Sequence, residues 1–145
     1  MRGDSWRPVA LLVAPLLLVA SLFGFAFSYR TDYLGHFLAG YGGTLGVIAV
    51  VSARSFDRRT MNGLSIRIVT ATLCCIGFGA VLEATVFRIA VFDPVDFANQ
   101  SLGAVLAGLS SIVFFAGAKH NAALLGSVFL IATSSLLAGF FYAFA

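Results

Sequence analysis

The spacing of charge along this chain constrains its fold more than any other feature. Five stretches, roughly 8–29, 33–53, 68–92, 94–118 and 121–145, are strongly apolar and hold almost no Asp, Glu, Lys or Arg. A helix needs about 20 residues to cross the hydrocarbon of a bilayer, and each stretch supplies that length. Lipid gives a backbone no hydrogen-bond partners, so each crossing has to satisfy its own amides as an α-helix. The period-two alternation of a lipid-facing barrel strand is absent. The expected fold is therefore all-α: one polytopic transmembrane bundle of five spans, occupying 1–145 as a single domain.

Composition excludes the soluble alternative. Of 145 residues, 60% are hydrophobic and 10% charged, whereas soluble domains hold about 45–50% apolar and about 25% charged residues. A chain this small has too much surface for so few charges to cover. No glycine-rich phosphate loop, nucleophile-elbow serine or paired-histidine zinc motif is present. The two cysteines, Cys74 and Cys75, are adjacent, so they build neither a disulfide framework nor a zinc site and read as small buried apolar residues. The net charge of +3 is spread over loops, which speaks to membrane orientation and not to nucleic acid.

Arg2 and Arg7 followed by an apolar run resemble the start of a signal peptide, but the run is longer than a usual signal core and reads as a retained span. With the N-terminus cytoplasmic, Arg2, Arg7, Arg54, Arg58, Arg59, Arg67 and Lys119 lie inside and only Arg30 and Arg88 outside. That bias predicts N-in, C-out topology.

Polar residues gather toward the other side. Four of the six acids, Asp32, Glu83, Asp93 and Asp96, fall there with Arg30, His36, Arg88, Asn99 and Gln100. Ionisable groups inside a span are costly and mark a packed or wet interior site. Counting from Arg67 places Glu83 about 24 Å across a core of about 30 Å. His36 lies four residues beyond Asp32, so the two are expected to meet on one helix face. Arg88 is five residues past Glu83, which makes a direct pair strained. In "FDPVDFANQ", Asp93 is suited to cap a helix, Pro94 to its first position and Asp96 to its positive end. Small residues form stripes on span two (Gly35, Ala39, Gly42, Gly46, beside His36, Gly40, Gly43), span three (Thr72, Cys75, Gly79, then Glu83) and span four (Ala104, Ala107, Gly108, Ser111). Such residues let membrane helices approach closely. The expected core is spans two, three and four, with the Leu- and Phe-rich spans one and five at the periphery.

The runs "DYLGHFLAGY", "GAVLEATVFR" and "DPVDFANQSLGAVLAG" together resemble the VanZ-like membrane proteins. The resemblance covers roughly residues 30–108 and places Asp32, His36, Glu83, Arg88, Asp96 and Gly103 on motif positions. Val86 stands where the family often has Gln, and the family Asn falls on Gln100, with Asn99 one place before it. The resemblance implies a multi-pass protein of the bacterial inner membrane, linked to the cell envelope and to reduced susceptibility to glycopeptide antibiotics such as teicoplanin.

Three functions compete at this stage. In the first, the polar cluster binds a lipid headgroup or a lipid-linked envelope component. Arg30 and Arg88 then pair with phosphate, Asp32, Asp96, Asn99 and Gln100 bond amine or sugar groups, and His36 and Glu83 complete the ligand site. In the second, the chain is a non-catalytic accessory subunit at the edge of a larger respiratory, photosynthetic or transport complex. In the third, Asp32, His36, Glu83 and Asp96 supply metal ligands or an acid–base pair. No spacing fixes a reaction type, so the reading favours a lipid-binding, non-catalytic protein without cofactor, metal or nucleic acid.

Overall fold

The structure, a computed structural model, describes residues 6–53, 61–85, 92–117 and 122–144. It is all-helical. The five helices are α1 (Trp6–Ala26), α2 (Thr31–Ala53), α3 (Met61–Thr85), α4 (Pro94–Gly117) and α5 (Ala122–Phe144). Each is long and apolar enough to cross a membrane. The third helix starts seven residues before the expected Ile68, at Met61, and continues through Arg67. Arg67 is exposed, and a long basic side chain can run along a helix to the interface without ending it. Of the basic loop expected over 53–67, residues 61–67 belong to α3 and 54–60 lie outside the described residues, as do Arg88, Lys119 and His120.

Local chemistry sets the helix ends. Asp93 caps α4: its Oδ1 accepts from the amides of Val95 at 2.8 Å and Asp96 at 3.4 Å. Pro94 follows as the first helical residue, where a missing N–H costs nothing. Between α1 and α2 the chain reverses over 27–30, held by the Phe27 amide on the Phe23 carbonyl and the Arg30 amide on the Phe27 carbonyl, both 2.8 Å.

The bundle is organised around α2, which packs against each of the other four helices. Its companions follow around it in the order α5, α1, α4, α3, each touching the next. Among the described residues α3 and α5 do not touch, so the ring is open on one side. On the closed sides α2 buries Phe37, Tyr41, Leu45 and Ile48 completely, against Leu12, Phe114 and Val128. Phe23 of α1 stacks on Phe37 with ring centroids 5.3 Å apart. The Tyr41 hydroxyl donates to the Leu12 carbonyl at 2.8 Å. That bond lies beside Pro15, which brings no amide to the α1 ladder, and neighbouring helices commonly satisfy backbone groups near such a residue.

Apolar burial gives little drive between helices in lipid, so close backbone approach carries the association. On α2, Gly35, Ala39 and Gly42 interlock with α5. A Cβ on Gly35 would sit 2.4 Å from the Ala143 nitrogen, one on Gly42 2.5 Å from that of Leu136, and one on Gly139 2.4 Å from that of Ala39. The α2–α4 contact is equally tight. A Cβ on Gly103 would lie 2.1 Å from the Phe37 carbonyl oxygen, and one on Gly40 2.0 Å from that of Gln100.

This corrects the expectation that span five is peripheral, because α5 is the most extensive partner of α2. Some of its Leu and Phe side chains do point outward, with Leu130, Leu137 and Phe141 exposed. Ala132, Gly139 and Ala143 form a narrow seam on the opposite face, and that seam lets the two backbones meet.

Candidate functional site

The opening between α3 and α5 leads into a cavity of about 560 Å³ lying on the uncovered face of α2. Four helices line it. His36, Gly40, Gly43 and Val47 come from α2, and Cys75, Phe78, Leu82 and Glu83 from α3. Asp96, Gln100 and Ala104 come from α4, and Leu136, Gly139, Phe140 and Ala143 from α5. Along α2 the lining runs from His36 to Val47, a length of about 16 Å at the helical rise, which matches half of a hydrocarbon core about 30 Å thick. One end carries the carboxyl and imidazole groups, and the rest is apolar apart from Thr44 and Cys75.

The polar end is built by three helix termini. His36 stands one turn into α2, Asp96 in the first turn of α4 and Glu83 in the last turn of α3. His36 Nε2 lies 3.5 Å from Asp96 Oδ2. That is an ion-pair distance if the imidazole is protonated and long for a hydrogen bond. Asp96 Oδ1 is buried and has no hydrogen-bond partner among the described residues. Glu83 is 7% exposed and forms no hydrogen bond or ion pair among the described residues. Gln100, one turn below Asp96, reaches across to α3, where a Cβ on Gly79 would overlap its side-chain amide nitrogen. Asp93 lies at the rim of the cavity, with Oδ1 engaged as the α4 cap.

The remaining sequence candidates fall elsewhere. Asp32 does not meet His36, because Arg30 takes it. The guanidinium grips the carboxylate through Nε to Oδ1 at 3.1 Å and through an Nη to Oδ2 at 2.8 Å. It also lies 4.0 Å from the centre of the Tyr33 ring. A two-point charged fork two residues away outcompetes an imidazole one turn deeper. The Asp32 hydrogen bond raises the Arg30 pKa above its ordinary value. Neither residue lines the cavity. Asn99 also lies off the lining, with its buried Nδ2 lacking a hydrogen-bond partner among the described residues. Arg88 lies outside the described residues.

Sequence reasoning missed the walls. Leu136 and Phe140 belong to the span expected at the periphery, Phe78 and Leu82 were given no role, and the seam on α5 was the available sign that this helix approaches α2. Cys74 is exposed, not buried as expected, while Cys75 is half-buried and faces the cavity. Among the described residues no three of His, Cys, Asp or Glu gather closely enough to hold a metal ion.

Chemically, the arrangement offers a half-bilayer-deep apolar trough, open sideways, that ends in carboxyl oxygens needing donors. Comparison with protein-family models, with curated proteins and with solved structures found no match to this chain.

Proposed function

We propose that this chain is a VanZ-like multi-pass protein of the bacterial inner membrane, N-terminus in and C-terminus out, that binds a lipid or lipid-linked envelope component. The ligand's chain lies in the trough on α2, and its headgroup sits at His36, Glu83, Asp96 and Gln100. One observation carries this reading: the cavity lies between α3 and α5, which do not touch among the described residues, is mainly apolar for about one leaflet's depth, and carries ionisable carboxyl and imidazole groups at one end only. Ligand sites are typically apolar clefts of about 300–1,000 Å³ with a few placed polar groups, and this cavity is of that kind. The excess of basic residues on the loops at the other end supports the orientation, and the motifs quoted above support the envelope assignment.

Gly43 provides the test. It lines the cavity, and a Cβ there meets only the Leu136 Cδ1 at 4.0 Å. A side chain can therefore start at this position without overlapping a neighbouring helix, and Gly43→Leu extends it into the trough. Mass spectrometry of lipids that copurify with the protein in mild detergent should show an amphiphile retained by wild type and lost from Gly43→Leu. Equal lipid content in both proteins, at unchanged thermal stability, would refute the reading.

A further inference from the structure

The charge at the polar end of the trough bears on the headgroup it accepts. Glu83 and Asp96 enter from different helices, and both line the same cavity. Among the described residues the cationic candidate lining it with them is His36, 3.5 Å from one Asp96 oxygen. The other Asp96 oxygen is buried and unpartnered among the described residues, and Glu83, more than nine-tenths buried as a residue, turns to the same cavity. Of the two guanidiniums expected to answer an anionic group, Arg30 is held by Asp32 outside the lining, and Arg88 lies outside the described residues. Buried acceptors without donors are costly, and a ligand that supplies N–H groups relieves them. A phosphate placed there would face carboxylates, and like charges at close range repel strongly in a low-dielectric site.

From this we propose that the His36–Glu83–Asp96 end of the trough takes the primary ammonium of an amphiphile's headgroup. The inference rests on the trough being an amphiphile site and adds the chemistry of the group bound. An ammonium brings three N–H donors and a positive charge, which Asp96 Oδ1 and the Glu83 carboxyl can share. A quaternary ammonium carries the same charge without donors. It would leave both acceptors unmet and rely on ring faces such as Phe140. Primary amine is therefore selected over trimethylamine by hydrogen bonding, and over a glycerol headgroup by charge.

Three lysophospholipids with one common acyl chain and ethanolamine, choline or glycerol headgroups separate these contributions. Each is titrated into the delipidated full-length protein, and binding is read by native mass spectrometry and by thermal shift. The ethanolamine lipid should bind at least tenfold more tightly than the other two. Glu83→Gln and Asp96→Asn should each reduce that preference to threefold or less while the protein still binds all three lipids. Two variants are used so that misfolding of one leaves the other informative. Equal binding of the three lipids, all lost in Gly43→Leu, would overturn the ammonium assignment and leave the amphiphile trough standing. Choline binding as tightly as ethanolamine would overturn the N–H requirement and with it the proposal. No binding of any lipid above that of Gly43→Leu would overturn both readings together.

Discussion

Replacing Gly103 by alanine tests what holds the bundle together. The new methyl would stand 2.1 Å from the Phe37 carbonyl oxygen and 2.8 Å from the Tyr41 nitrogen. Both are backbone atoms of α2, so no rotamer change removes the overlap. An ordinary carbon–oxygen approach is about 3.3–3.6 Å, so α2 and α4 must part locally by about 1.2 Å. A gap of about 1 Å forfeits up to half of each van der Waals well of about 0.15 kcal/mol. If some twenty close atom pairs flank the crossing, about half the contacts of a buried leucine, the loss is about 1.5 kcal/mol. That agrees with the 1–3 kcal/mol typical of overpacked sites. Helix propensity works the other way, since alanine is favoured over glycine by about 1 kcal/mol in water. Gly77→Ala is the matched control, because a Cβ there meets nothing within 4 Å. Unfolding in mixed micelles titrated with a denaturing detergent, followed by far-ultraviolet circular dichroism, gives both stabilities. Gly103→Ala should be less stable than Gly77→Ala by about 1.5–2 kcal/mol, more than a tenfold change in the unfolding equilibrium. A difference below about 0.5 kcal/mol would show that the α2–α4 approach is looser than described, and the small-residue account of assembly would fall.

Two further outcomes follow from named contacts. Tyr41→Phe removes the hydroxyl that reaches the Leu12 carbonyl and should destabilise the protein by about 1 kcal/mol, within the range measured for hydrogen bonds between membrane helices; an unchanged unfolding midpoint would show that the Leu12 carbonyl does not need the bond. Arg30→Gln breaks the fork on Asp32 away from the trough and should leave the copurifying lipid unchanged; lipid loss matching that of Gly43→Leu would place Arg30 in the site after all.

The existence and number of spans could be read from the chain because the cost of exposing an unpaired backbone to lipid leaves helices as the natural solution for five long apolar runs. The α4 cap was equally legible, since Asp93 and Pro94 act within one turn and need no tertiary partner. Depth could also be counted: His36, Glu83 and Asp96 lie near the same helix ends because rise per residue is fixed.

Rotation and neighbour choice were not legible. Whether His36 turns to Asp32 or to Asp96 depends on how α2 is rotated against α4, and that is set by Gly40 and Gly103 meeting backbone on the facing helix. The role of α5 stayed hidden for a related reason. Hydropathy weights its Phe and Leu residues, while the packing depends on what Gly139 and Ala143 lack. The gap between α3 and α5 is a property of how four helices share the surface of a fifth, and no single segment encodes it.

The pairing of α2 with α5 also bears on biogenesis. A ribosome releases Gly42 about 100 residues before the Gly139 seam that α2 packs against, an interval of about 5–20 s at ordinary elongation rates. Throughout that interval α3 and α4 are being inserted while the glycine face of α2 still waits for its partner. The insertion machinery or a passing lipid has to shield that face until α5 arrives, so maturation of this protein is gated by its last helix and not by any neighbouring hairpin.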